Sequence, residues 1–398
     1  MPAGAGVALN GLFVITTTNP RGIVEDVLDP RLIKESFEAV EPVADKVAGY
    51  FYARLFIENP GVREMFPPYM DVQRDRLLGA IIRIVQGIDR PEFLTNFLEQ
   101  LGRDHRKFGA KPAHYEAVGR ALIAALKRYA GEAWTPEVES AWVSAYSLAA
   151  EAMIEASRRA ALDTPDWWLA EIVEHEQRNS DVAVMWVKPD QHYPYEAGQY
   201  VSVETPWWPR VWRSYSLANA PRKDGLLELH VHGVDAGWVS QALVNKARVG
   251  DVIRLGHSTG TMVADRTSTR DLVCIAGGTG LAPMKSIIED MARWNWYRRV
   301  NLFFGARRPE GLYDLPAMED LSRQHSWLTV VPAVSHDDRY DGEQGLIVDT
   351  ALQHGEWADH DIFVAGSPNM VRGTIDKLLG RGLSVSRIKF DTFGDIRY

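Results

Sequence analysis

Between Asp271 and Trp294 the chain runs Leu272-Val273-Cys274-Ile275-Ala276, then Gly277-Gly278-Thr279-Gly280-Leu281-Ala282-Pro283, then the helical segment Met284–Trp294. Five apolar residues in a row leave no polar face for water, which predicts a strand buried on both sides. The apolar runs Val300–Phe304, Leu328–Val331 and Ile362–Val364, with helical segments between them, repeat the pattern. Alternating buried strands and helices predict a parallel α/β sheet covered on both faces, here over residues 267–398. A glycine turn between strand and helix lets the backbone approach a dinucleotide whose phosphates face the helix N-terminus. Gly277, Gly278, Thr279, Gly280 and Pro283 are therefore candidate binding residues, although a turn that merely packs would use the same ones.

At 398 residues the chain exceeds one hydrophobic core, and two or three domains are expected. Residues 29–160 are helical in pattern: Val43, Val47, Phe51 and Leu55 recur at intervals of four, as do Leu122 and Leu126, and Leu77, Ile81, Ile84 and Val85 follow the same stripe. Prolines at Pro60, Pro67-Pro68 and Pro112 fall between these stretches, which predicts an all-helical domain of six to eight helices. Residues 165–266 show short β-branched runs (Val182–Val187, Gln199–Val203, Leu227–Val231, Val252–Leu255) separated by turns, as in an antiparallel barrel or sandwich. Residues 1–28 read as a flexible or loosely packed extension. The formal charge of −9 argues against a nucleic-acid surface, and a single cysteine, Cys274, excludes a disulfide framework or a cysteine metal cluster. No apolar run reaches the length of a membrane span, and Val7–Ile15 lacks a basic flank, so a cytoplasmic protein, a monomer or weak dimer, is expected.

Within the β-rich zone, Arg213-Ser214-Tyr215-Ser216 offers a cation, an aromatic ring and a hydroxyl in a strand-like setting. These suit a flavin: charge for its diphosphate, a ring against the isoalloxazine, a hydroxyl for a polar ring atom. An ordinary edge strand would read similarly. Gly237-Trp238-Val239-Ser240 opens a helical stretch and suits a diphosphate, and Tyr200 lies on another strand. Later, Ala365-Gly366-Ser367-Pro368-Asn369-Met370 again follows a strand and opens a helix, and Asp391-Thr392-Phe393-Gly394 lies near the C-terminus. These motifs, in this order over about residues 165–398, resemble the ferredoxin–NADP reductase superfamily. The resemblance implies FAD in the barrel and NADH or NADPH on the α/β domain, with hydride passing to the flavin. It assigns Tyr200, Arg213, Ser214, Tyr215, Ser216, Gly237, Val239, Ser240 and Phe393 to FAD, and Gly277, Gly278, Thr279, Gly280, Pro283, Gly366, Pro368 and Met370 to the nicotinamide dinucleotide. Ala365 stands where that family often has cysteine, and Asp391 where it often has glutamate. Arg307 follows a strand where a basic residue would pair with a 2′-phosphate, but an exposed cationic loop fits equally, so the NADH or NADPH choice stays open. Trp207, Trp208 and Trp212 fit flavin or interdomain packing better than a partner surface.

Leu94, Leu98, Leu101 and His105 step by 4, 3 and 4, so His105 lies on the apolar stripe of its helix. A histidine there is usually a core residue, but a neutral imidazole is also an axial haem ligand. Phe51-Tyr52-Ala53-Arg54-Leu55-Phe56, Asn59-Pro60, Met65-Phe66, His105 with Lys111-Pro112 and Tyr115, and Ala141-Trp142 with Ala145-Tyr146 resemble the globin domain of flavohaemoglobins. This resemblance implies haem b with His105 as proximal iron ligand, Tyr52 and Gln73 as distal hydrogen-bond donors, Phe66 and Leu77 as pocket walls, and Tyr115 on the proximal side. It also implies oxidation of nitric oxide with dioxygen to nitrate. The proximal glutamate of that family is replaced by Ser157. Two other functions remain in view: an oxygen- or nitric-oxide-binding sensor or storage globin with a self-reducing flavin domain, and a flavin oxidoreductase that uses the haem as a relay. The expected architecture is an all-α globin, then an antiparallel β-barrel FAD domain, then a parallel α/β nucleotide-binding domain.

Overall fold

The computed structural model describes residues 14–19, 22–27 and 29–392. The chain divides into two compact units at Asp166/Trp167. In the first, β1 (Val14–Asn19) and β2 (Gly22–Val27) pair as an antiparallel hairpin inside the segment expected to be flexible. Six α-helices follow among the described residues: α1 (Pro30–Val40), α2 (Ala44–Glu58), α3 (Asp71–Gly87), α4 (Pro91–His105), α5 (Pro112–Ala130) and α6 (Pro136–Ala160). Proline opens α1, α4, α5 and α6, at a position where its missing N–H would be unpaired in any residue. Asp29 and Thr135 cap α1 and α6 by accepting the N–H groups of Arg31 and Val138.

The helical unit has two separate apolar clusters. The larger gathers Phe37, Phe51, Tyr52, Leu55, Leu126 and Trp142, with Phe66 and Leu77 at its margin. Trp142 donates from Nε1 to Ser36 Oγ at 2.9 Å, tying α6 to α1. The smaller gathers Leu98, Ala149 and Met153, with Leu94, Leu101 and Tyr115 at its margin. Buried Arg106 closes the unit, donating to the Asp166 carboxylate at 3.0 Å and to the Thr164 hydroxyl at 2.9 Å.

In the second unit, β3 (Trp168–Gln177), β4 (Val182–Pro189), β5 (Tyr200–Glu204), β6 (Arg213–Ser216), β7 (Leu227–His232) and β8 (Val252–Thr259) form an antiparallel sheet of order β6-β5-β8-β3-β4-β7. A Leu217–Leu229 bridge joins its two edges and closes the barrel. One short helix, α7 (Trp238–Asn245), follows β7. Then come β9 (Leu272–Gly277), α8 (Leu281–Met291), β10 (Val300–Ala306), α9 (Leu315–Gln324), β11 (Leu328–Val334), β12 (Glu343–Gln344), α10 (Ile347–His354), β13 (Asp361–Gly366), α11 (Pro368–Gly380) and β14 (Ile388–Thr392). All pairings are parallel, in the order β12-β11-β10-β9-β13-β14. The reversal of order lies between β9 and β13, which places a crevice beyond their C-terminal ends. The sequence pattern places the helix after β9 at Met284–Trp294, but α8 starts three residues earlier and stops at Met291. Pro283 sits in its first turn, where it costs no hydrogen bond, so it does not delay the start.

One close approach positions the end of α4. A Cβ on Gly102 would lie 2.3 Å from the Met153 carbonyl oxygen and 2.7 Å from Met153 Cα, so α4 meets the backbone of α6 there. Gly102→Val should force the helices apart at a cost of about 1–3 kcal/mol, read as a lower thermal midpoint. Gly49→Ala, where a Cβ meets nothing, should hold or raise it.

Candidate functional site

His105 is the last residue of α4. Its Nδ1 lies 2.8 Å from the Leu101 carbonyl oxygen. A carbonyl can only accept, so Nδ1 carries the proton and Nε2 keeps the lone pair that a metal requires. Burial lowers the imidazole pKa, favouring that neutral form. Phe108 meets the ring edge-on at 5.9 Å.

Tyr52, on α2, is buried, and burial pushes its phenol pKa well up, so it remains a donor. It donates to the main-chain oxygen of Gln73 at 3.2 Å, which joins α2 to the first turn of α3. Phe66 lies in the turn before α3 and packs edge-on against Tyr52 at 5.6 Å and against Phe56 at 5.3 Å. Leu77 is one turn along α3 from Gln73. The structure thus brings Tyr52, Gln73 and Phe66 together, with Leu77 beside the same cluster, while Tyr115 and Leu101, whose carbonyl holds His105, belong with the smaller one. Tyr115 is partly buried, which raises its pKa, and its main-chain oxygen accepts the Tyr146 hydroxyl at 2.5 Å. Ser157 occupies the last turns of α6, and Glu155 forms an ion pair with Arg158 at 3.0 Å.

In the barrel, register places Tyr200 opposite Ser216 and Val203 opposite Arg213. Arg213 is partly exposed and donates to the Trp212 carbonyl at 2.9 Å; Ser214 is exposed. Tyr215 is buried on the barrel side with Val201. Ser216 is buried, and its hydroxyl has no protein partner, an arrangement that costs free energy unless a ligand supplies one. Gly237 caps α7 while the Ser240 hydroxyl donates to the Gly237 carbonyl at 3.1 Å and accepts the Val234 N–H at 3.3 Å. Val239 is buried. Ala236, with φ of +55°, takes the left-handed turn before the helix. Trp207, Trp208 and Trp238 line a cavity of about 380 Å³ beside Gly237, with Trp208 and Trp238 stacked at 4.8 Å. Trp212 is buried.

The two nucleotide motifs meet at the reversal of strand order. Gly278–Gly280 form a single turn after β9, and Gly366 ends β13, with Pro368 and Met370 in the first turn of α11. A Cβ on Gly280 would lie 2.1 Å from the Ala365 carbonyl oxygen, so only glycine lets the turn sit on β13. One at Gly277 would meet Met370 at 3.3 Å. Gly278 has a φ of +54° and nothing near its missing Cβ, leaving its backbone open to a ligand; Thr279 is partly exposed beside it, and Pro283 is buried in α8. Arg307, just beyond β10, is exposed. Ala365 and Asp391, the two departures from the reductase pattern, face each other across β13 and β14. Phe393 lies outside the described residues.

Sequence reasoning missed one polar cluster. Glu228 and His230, on β7, are fully buried with Lys285 of α8. The Lys285 ammonium donates to both Glu228 oxygens at 2.6 Å; His230 bonds Glu228 at 3.0 Å and the Tyr313 hydroxyl at 2.7 Å. Burial works to raise the Glu228 carboxyl, but His230 and Lys285 outweigh it and hold the pKa at about 2.

Two outcomes follow from unpaired buried groups. Ser216→Ala should weaken FAD binding roughly 10-fold or more, by loss of one buried hydrogen bond, measured by flavin fluorescence titration. Burial raises the pKa of the Asp391 carboxyl to about 7, and its Oδ2 has no partner. Between its ordinary value and about 7 the folded chain holds a proton that the unfolded chain has lost, so stability should fall as pH rises through that window. Asp391→Asn should flatten that slope in urea melts taken from pH 5 to 8, and an unchanged slope would contradict the assignment.

Comparisons with known proteins agree with this arrangement. Residues 49–153 match the family model described as Globin, residues 170–263 the Oxidoreductase FAD-binding domain, and residues 274–376 the Oxidoreductase NAD-binding domain. The Flavohemoprotein of Bacillus subtilis (strain 168) is 26% identical over 394 residues, covering 91% of this chain and 96% of the relative. The crystal structure of a flavohemoglobin from Malassezia yamatoensis has the same fold, with a TM-score of 0.76 at 22% identity, over 92% of this chain and 100% of that one. The FAD/NAD-binding domain of a nitric oxide dioxygenase from Vibrio cholerae matches 57% of this chain and 98% of its own with a TM-score of 0.51 at 22% identity, a likeness of fold. Among the described residues no helix is long and apolar enough to cross a membrane. The chain is an oxidoreductase in which a globin is joined in one polypeptide to FAD- and NAD-binding domains, and over 91% of its length it is similar to a flavohemoprotein.

Proposed function

We propose that this chain passes electrons from NAD(P)H through FAD to a haem held by His105, and so oxidises nitric oxide with dioxygen to nitrate, a reaction that consumes one electron per molecule. The observation that carries the reading is the Nδ1–H bond from His105 to the Leu101 carbonyl, which presents Nε2 as a neutral ligand in a chain that also holds a flavin strand and a dinucleotide crevice. Bound haem supplies the iron at which dioxygen and nitric oxide combine, and FAD splits a two-electron hydride into single electrons.

The protein's part is to hold and orient. Leu101 fixes the His105 ring and its tautomer. The Tyr52 hydroxyl, beside Gln73, would be the hydrogen-bond donor on the distal side of the haem. Phe66 and Leu77 exclude water on that side. Arg213, Tyr215 and Ser216, with Tyr200 opposite Ser216, would hold the flavin and Gly237, Val239 and Ser240 its diphosphate, and the family resemblance assigns Phe393 to its ring. Gly277–Gly280, Pro283, Gly366, Pro368 and Met370 would hold the nicotinamide dinucleotide, and exposed Arg307 would be available to a 2′-phosphate. The domains run 29–160, 165–266 and 267–398.

A second reading, an oxygen-binding globin whose reductase only keeps iron ferrous, is favoured by one observation. Ser157 cannot act as a proximal carboxylate, and the only nearby acid on that turn of α6, Glu155, pairs with Arg158. Without a carboxylate behind Tyr115 the His105 imidazole is less basic.

The two are separated by an NO electrode trace with haem- and FAD-replete protein, NADH and air. The first reading expects NO removal matched by NADH oxidation; removal of no more than one NO per haem supports the second. Tyr52→Phe should raise the dioxygen dissociation rate about 10- to 100-fold, the worth of one buried donor to a charged acceptor, measured by flash photolysis.

A further inference from the structure

We infer that Lys285 and Glu228 form a positioning pair that sets the nicotinamide loop against the flavin-binding strand. The inference rests on the reductase reading above and names what holds its two halves in register.

Lys285 lies one turn into α8, the helix that begins directly behind Gly278–Gly280. Its ammonium reaches both oxygens of Glu228. Glu228 belongs to β7, and its main-chain oxygen accepts the Ala218 N–H at 2.8 Å, two residues beyond Ser216. A short path of directional bonds therefore runs from the glycine turn, through Lys285 and Glu228, to the end of the Arg213–Ser216 strand. Neighbouring bonds point the same way. Ser286 donates to the Asn219 carbonyl at 2.7 Å, and the Ala220 N–H donates to the Glu289 carboxylate at 3.0 Å. The α8 face toward the barrel is thus Lys285, Ser286 and Glu289 where an ordinary helix–sheet contact would be apolar.

Glu228, His230 and Asp314 also converge as metal ligands would. The Lys285 ammonium already sits between them, with Asp314 at 3.7 Å, so the cation of this cluster is the protein's own. Apolar packing alone is non-directional and tolerates sliding, whereas a buried ion pair fixes one register. Register matters because hydride transfer needs the reacting atoms about 3–3.5 Å apart, and a misplacement of roughly 1 Å costs about 100-fold.

The test uses the full-length, FAD-replete protein in anaerobic stopped flow, following flavin absorbance after mixing with NADH or NADPH. Replacing both partners, Glu228→Met with Lys285→Met, removes the pair without leaving a buried charge. That variant should keep its FAD stoichiometry and its reduction by dithionite. Its limiting rate of flavin reduction should fall about 10-fold or more, with the nucleotide concentration at half-saturation moving less than about threefold. Lys285→Arg should recover most of the rate. If the double variant does not fold, Glu228→Gln, which keeps the shape and weakens the pair, should show the same loss in smaller degree. A limiting rate equal to wild type in whichever variant folds overturns the inference while leaving the reductase reading intact. A wild-type protein whose flavin is reduced by neither nucleotide overturns both.

Discussion

The hydrogen bond from His105 Nδ1 to the Leu101 carbonyl, 2.8 Å long and contained within one turn of α4, decides what the helical unit can be. Without it, either ring nitrogen could carry the proton, and burial would favour an imidazole that simply fills space. With it, the tautomer is set and the lone pair lies on Nε2. Everything nearby serves that placement. Gly102 lets α4 reach the backbone of α6, and Arg106 binds the residues after α6 to the turn that follows His105. The two apolar clusters stay separate, with Tyr52 and Phe66 in one and Leu101 and Tyr115 in the other. A prosthetic group between them would join the two into one core, which is the physical case for a haem in this unit.

The second unit answers to a different constraint. A parallel sheet must reverse its strand order somewhere to place helices on both faces, and here it does so between β9 and β13. The reversal leaves Gly278–Gly280 and the turn after β13 side by side, at a spacing that Gly280 alone permits. Polar bonds from α8 reach Asn219 and Ala220, just beyond β6, and Glu228 of β7. The unit is therefore organised around two backbone-rich loops and one strand, with few ionisable side chains at the crevice itself. Asp391, an unpaired buried carboxyl across from Ala365, is the exception.

Much of this was legible in the sequence, and the failures have physical causes. The run Leu272–Ala276 reads as a doubly covered strand and the glycines after it as a turn, and the structure has both. His105 closes a 4-3-4 apolar stripe, a position that a core histidine would share, and only the resemblance to globins singled it out as a ligand. Glu228 and His230 were not singled out. In Leu227–His232 apolar and polar residues alternate, which predicts one dry and one wet face, yet the polar face is covered by α8 and the Tyr313–Asp314 loop. Periodicity reports what a strand offers, not what later folds over it. Gly102 was silent for the same reason: its role depends on which helix lies across it. The start of α8 was missed because Pro283 reads as a break unless its place in the first turn is known.

On the proposed reading, one polypeptide carries electrons from a nicotinamide dinucleotide to a haem on His105. An anaerobic absorption record after mixing NADH with haem- and FAD-replete protein tests it directly. Flavin bleaching should be followed by a Soret shift to the ferrous position, and in His105→Ala the bleaching should occur alone, with no Soret band to shift. A Soret band that stays ferric in the wild type while the flavin is fully reduced would contradict it.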